Sequence, residues 1–111
     1  SNLQYVIPAN ATVVSAKLYV DVAFTSTSTT TDLVVGLYTS AGAAIDADGL
    51  VSASEATQTA IGTAGNVVTG AGALVGKTIG ATAGEVVVAP TVDDLLTGKA
   101  RLVVEYVYDK N

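Results

Sequence analysis

The sequence predicts one all-β domain over residues 1–111, an antiparallel β-sandwich or jelly-roll-like fold with one or two very short helices. Three observations lead there. Ala16–Phe24 alternates strictly, with Ala16, Leu18, Val20, Val22 and Phe24 on one face and Lys17, Tyr19, Asp21 and Ala23 on the other. Such a period of two marks a strand with one buried and one solvated face. A second alternating run closes the chain, with Leu102, Val104, Tyr106 and Tyr108 on one face and Arg101, Val103, Glu105 and Val107 on the other. Between them lie short apolar pieces punctuated by Gly and Thr, with Pro scarce, which suits short strands joined by tight turns. Two long faces that each need covering close naturally as two packed sheets.

The elements follow in order. Leu3–Ile7 is a short apolar run ended by Pro8, and Pro8–Ala11 reads as a turn in which Asn10 tolerates unusual backbone angles. A strand from Thr12 to Phe24 is expected next. The hydroxyl-rich run Thr25–Asp32 reads as an exposed hairpin loop; a glycan attachment or contact surface is the alternative, and nothing in the residues favours it. Leu33–Tyr38 is a strand interrupted by Gly36, the signature of a bulge or a close backbone approach. Thr39–Ala44 turns through Gly42. Ser52-Ala53-Ser54-Glu55 has the Ser-x-x-Glu spacing of a capping box, so Ala56–Ala60 is expected to form a short helix anchored by Leu50 or Val51.

Ile61–Gly84 is expected to hold short strands in a meander, and Glu85–Ala89 is a strand stopped by Pro90. Thr91–Gly98 reads as one helical turn, with Thr91 as N-cap and Gly98 as terminator. Lys99–Tyr108 is the closing strand. The two long strands are expected near the middle of their sheets, where Lys17, Asp21, Arg101 and Glu105 would form weak cross-strand pairs.

Composition excludes several function classes. The formal charge is −5, with only five basic residues spread along the chain. Nucleic acid and anionic membrane surfaces both need clustered Lys and Arg, so neither is an expected partner. No apolar run approaches the roughly 18 residues of a membrane-spanning helix. The chain has no Cys and no His, which removes disulfides, thiol chemistry and the usual zinc, copper and iron ligand sets. A core of Val, Ala, Leu and Ile with one Phe and no Trp suits closely stacked sheets better than a large ligand pocket. The start at Ser1 is that of a processed product, an excised domain or the ordered part of a longer chain.

Three motifs invite chemical readings. Asp46-Ala47-Asp48-Gly49 resembles the opening of a calcium loop, but its Gly comes too early and the third ligand is missing, so an Asp-rich turn is expected. Ala71–Thr78 fits a loose phosphate-binding loop with Ala in the first Gly position. That loop requires a helix from Lys77-Thr78, and Ile79–Gly84, with two glycines in six residues, makes a poor one. Asp93 and Asp94 as a catalytic pair would project about 100° apart on a helix rather than at one substrate. No catalytic, cofactor-binding or metal-binding residues are therefore assigned, and an enzyme is not expected.

The run Ile7-Pro8-Ala9-Asn10-Ala11-Thr12-Val13-Val14-Ser15-Ala16 and the closing run Gly98-Lys99-Ala100-Arg101-Leu102-Val103-Val104-Glu105-Tyr106-Val107 resemble small structural proteins of tailed bacteriophages. These are capsid decoration (cement) proteins and related head or tail proteins, in which an "IPANA"-like turn precedes a long strand and a "G-x-A-x-L/V-x-V-E-Y" strand ends the domain. Gly42–Gly84 matches them in composition and in the turn at Ala47-Asp48-Gly49. The resemblance implies a non-catalytic protein on the virion surface, a homo-oligomer or symmetric array bound to major capsid protein subunits. It would clamp the lattice against internal DNA pressure. Tyr19, Val103 and Val107, apolar on an outward face, are the candidate protein contacts, with cover by the chain's own loops as the alternative. The competing function is a carbohydrate- or receptor-binding domain of a phage tail fibre or surface adhesin, in which exposed tyrosines would stack on sugars.

Overall fold

A computed structural model describes residues 2–108; Ser1, and with it the reading of the chain's start, lies outside them. Among the described residues seven strands and one helical turn follow in order: β1 (Asn2–Ile7), β2 (Thr12–Ser26), β3 (Leu33–Tyr38), β4 (Ala44–Val51), α1 (Gln58–Ile61), β5 (Val67–Thr69), β6 (Gly84–Pro90) and β7 (Leu95–Val107). They form two antiparallel sheets, of order β1-β6-β3-β4 and β5-β2-β7, packed as a sandwich. The body measures 46 × 26 × 20 Å.

The core draws on both sheets. Val13, Ala16 and Leu18 of β2 and Val68 of β5 meet Leu33, Val35 and Leu37 of β3, Leu50 and Val51 of β4 and Val86 of β6, with Ile61 of α1 beneath them. Side chains as small as these fill the space only if the sheets approach closely. One side of the sandwich is stitched shut by residues 70–79. Along it, Gly70 N donates to Ala16 O, Gly72 N to Leu50 O, Leu74 N to Gly49 O, Gly76 N to Val13 O and Ile79 N to Ala11 O. This strap bonds to β2 at both ends of the β4 contacts and finishes on the turn before β2, which explains why the expected meander reduces to β5 alone. No helix begins at Lys77-Thr78, so the phosphate-loop geometry is missing.

The β2 pattern holds through Val20 and then shifts. Val20 pairs with Ala100 and Val22 with Lys99, so Asp21 is an extra residue, and beyond it Val22 is exposed instead of buried. A second bulge at Val14 lies between the Val13–Tyr106 and Ser15–Glu105 pairs. The Pro8–Ala11 turn forms as expected, with Asn10 at φ 64°. Gly36 also behaves as read: a β-carbon there would lie 2.1 Å from Asp46 O, at a register irregularity between β3 and β4.

Five expectations are corrected. Thr25–Asp32 is a crossover between the sheets rather than a hairpin loop, because β2 and β3 belong to different sheets. Its Thr31 is fully buried, and its hydroxyls bond locally to backbone amides, as in Ser28 N to Ser26 Oγ and Thr30 N to Ser28 Oγ. The Asp46–Gly49 segment lies within β4 rather than in a turn. The capping box forms only its reach-back half: Glu55 accepts from Ser52 N, while α1 starts later, capped by Thr57, whose Oγ1 accepts from Ala60 N.

Thr91–Gly98 is not helical. Thr91 N donates to Asp32 O, and Leu95 and Thr97 pair with Ser26 and Thr25 of β2. Ladder bonds to an existing strand outcompete a single turn that must bear the full nucleation cost of a helix. Finally, β2 is central in its sheet, but β7 is an edge strand, and none of its side chains is fully buried.

Candidate interaction surface

The ladder registers define the outward face of the three-stranded sheet row by row. Val67, Tyr19 and Arg101 form one row, Thr69, Lys17 and Val103 the next, then Ser15 with Glu105, and Thr12 with Val107. Directly paired residues on antiparallel strands share a face, so Tyr19, Val103 and Val107 all stand on this one. Val103 is 46% and Val107 60% exposed, and Val67 is exposed beside Tyr19. The chain's own loops therefore leave Val103 and Val107 open.

Tyr19 is half-buried for a specific reason: the Arg101 guanidinium carbon stands 5.4 Å from its ring centroid. Arg101 is held there by Asp21, with Nε 3.0 Å from Oδ2 and Nη2 3.1 Å from Oδ1. Hydrogen bonding to Asp21, and then its charge, raises the Arg101 pKa above its ordinary value. Ser15 Oγ donates to Glu105 Oε1 at 2.7 Å. The expected charged pairs thus resolve into Asp21–Arg101 and Ser15–Glu105, with Lys17 opposite Val103 and Thr69. The face intersperses apolar side chains with charged ones within its rows, a texture suited to a protein partner.

On the side away from the strap, the sheets do not close. A groove of about 490 Å³ lies between β1 and β7, lined by Tyr5, Val6, Ile7 and Val86 on one side and Ala100, Leu102, Val104 and Tyr106 on the other. A second, of about 750 Å³, continues it past Ala100 and Leu102 towards Phe24, Leu33, Val88 and Leu95. Tyr106 and Tyr108, which the alternation places on the inward face, are exposed, and Tyr106 lines the first groove. Their rings stand 6.1 Å apart. Val67, Tyr5 and the groove escape a reading of sequence alone, since which strands lie at an edge is a property of pairing.

Asp48 N bonds Asp46 Oδ1 at 3.3 Å, and burial, then hydrogen bonding to the Asp48 side chain, raises the Asp46 carboxyl above its usual range. Among the described residues no three acidic groups come together to hold a metal ion. Asp93 N donates to Thr31 Oγ1 and Thr27 Oγ1 donates to Asp93 Oδ2, so Asp93 fastens the 25–32 crossover. The chain matches no protein-family model, and no curated protein or solved structure matches it.

Proposed function

We propose that this chain is a non-catalytic structural protein of a tailed-phage virion, a capsid decoration or cement protein that binds the assembled lattice. The observation that carries the reading is the open outward face of β2 and β7, where Val103 and Val107 stand exposed beside Lys17, Arg101 and Glu105. The resemblance of both chain ends to phage decoration proteins gives that face its partner, the major capsid protein. An acidic net charge of −5 keeps an abundant surface protein soluble and away from packaged DNA. Heating expanded capsids of the phage that carries the gene, with and without added chain, tests the clamp. Bound chain raises the temperature of DNA release; an unchanged temperature at saturating chain contradicts the reading.

A second reading, a carbohydrate-binding domain of a tail fibre or adhesin, draws support from the exposed Tyr5 and Tyr106 lining one groove. Specific hits on a glycan array, lost in Y5A and Y106A, would favour it over the lattice role.

A further inference from the structure

We propose that two copies of this chain associate through their β7 strands, paired antiparallel about a two-fold axis at Val103. Among the described residues β7 pairs with β2 alone, so its other edge carries unpaired backbone groups. From Lys99 to Val107 the strand is uninterrupted. Every residue there takes part in a β2 pair, and both bulges in that stretch, Val14 and Asp21, lie on β2. The run has no Pro, and Gly98, at φ +133°, ends it on one side. Edges of this kind are usually blunted by bulges, Pro or charge. Here only charge is present, and its arrangement is self-complementary.

Val103 is the midpoint of Lys99–Val107. With a dyad there, Arg101 of each copy faces Glu105 of the other, and Lys99 faces Val107. On the inward face Leu102 meets Val104 and Ala100 meets Tyr106, large against small. A dyad at Arg101 would oppose two guanidinium groups, and one at Leu102 would bring the Gly98 kink into the ladder. The pairing joins the two three-stranded sheets into one and sets the half-buried Leu102 and Val104 against a neighbour. An isologous contact closes on itself, so it yields dimers rather than fibres. It goes beyond the lattice reading, and its test contains this chain alone.

Sedimentation equilibrium of the full chain from about 1 µM to 1 mM reads the association. Wild type dimerises. E105K, which opposes Arg101 with Lys, and R101E, which opposes Glu105 with Glu, each weaken the dimer at least about tenfold. The double variant R101E/E105K restores the opposite-charge pairing and recovers most of that loss. Circular dichroism confirms that each variant is folded, and V107E, whose new carboxylate would face Lys99, dimerises at least as well as wild type. A wild type monomeric at 1 mM, a dimer indifferent to E105K, or a double variant no better than the singles overturns the proposal.

Discussion

The carbonyl oxygen of Asp46 lies 2.1 Å from where a β-carbon on Gly36 would stand, with the carbonyl carbon and oxygen of Ala47 both at 2.3 Å. The obstacles are all backbone atoms of β4, which cannot swing aside as a side-chain tip can. G36A must therefore separate β3 from β4, which breaks the register between the fully buried Val35 and Leu37 and their partners. A loss of at least about 3 kcal/mol, at or above the upper end of overpacking costs, is expected in urea unfolding. A loss under about 1 kcal/mol would show that the two strands separate easily.

Glu55 ties the turn after β4 to the strap. Burial alone would push its carboxyl up. Hydrogen bonds from the Ser52 hydroxyl and amide, the Ala71 amide and the Ser54 hydroxyl outweigh burial and bring it down to about 2. A carboxyl lowered on folding stabilises the fold fully above its unfolded pKa, and that contribution fades as pH falls from about 4.5 towards 2. E55Q should lose about 1–3 kcal/mol at pH 7, the scale of hydrogen bonds to a charged group. The gap to wild type should narrow below pH 4, as read by thermal unfolding across pH. A gap that stays constant from pH 7 to pH 2.5 would remove the carboxylate from this role.

Thr31 is the one fully buried polar side chain among the described residues. Its hydroxyl shares a hydrogen bond with Ser26 Oγ and accepts one from Asp93 N, joining the crossover to the segment before β7. T31V keeps the shape and removes both bonds, so a loss of about 1–2 kcal/mol is expected. Proteolysis should become faster at residues 91–94 in particular. Uniform destabilisation with no local change in cleavage would place the role of Thr31 in packing.

Gln58 makes three bonds to the same crossover: its amide N donates to Asp32 Oδ1, its Nε2 to Ser28 O, and its Oε1 accepts from Thr31 N. Q58A removes the Nε2 donor to Ser28 O and the Oε1 acceptor of Thr31 N together. Hydrogen exchange should report faster opening of Thr31 and Ser28 amides, while those of β2 and β3 stay protected. Unchanged exchange in the crossover would mean that its own hydroxyl bonds suffice to hold it.

The all-β sandwich was legible because Ala16–Val20 and Arg101–Val104 keep a strict period of two, and Gly36 announced its close approach through its lack of a side chain. What stayed hidden depends on partners distant in sequence. Thr91–Gly98 carries sound helix signals, yet Leu95 and Thr97 are captured by Ser26 and Thr25, some 70 residues earlier. Val22 follows the alternation in sequence and leaves it in space because the bulge at Asp21 shifts the phase. The candidate face was half legible: Tyr19, Val103 and Val107 follow from alternation, whereas Val67 joins them only through the register of β5. Alternation is the same in a central and an edge strand, so it carries no sign that β7 lies at an edge.

Co-sedimentation of purified wild type and V107E with expanded capsids of the phage that carries the gene, and with isolated major capsid protein, tests the central claim most directly. Wild type should pellet with expanded capsids at a fixed ratio per lattice subunit and bind isolated subunits weakly. V107E should remain folded and lose most of the capsid binding. Folded wild type that stays in the supernatant with expanded capsids would contradict the lattice role, and undiminished binding by V107E would contradict the assignment of the outward β2–β7 face.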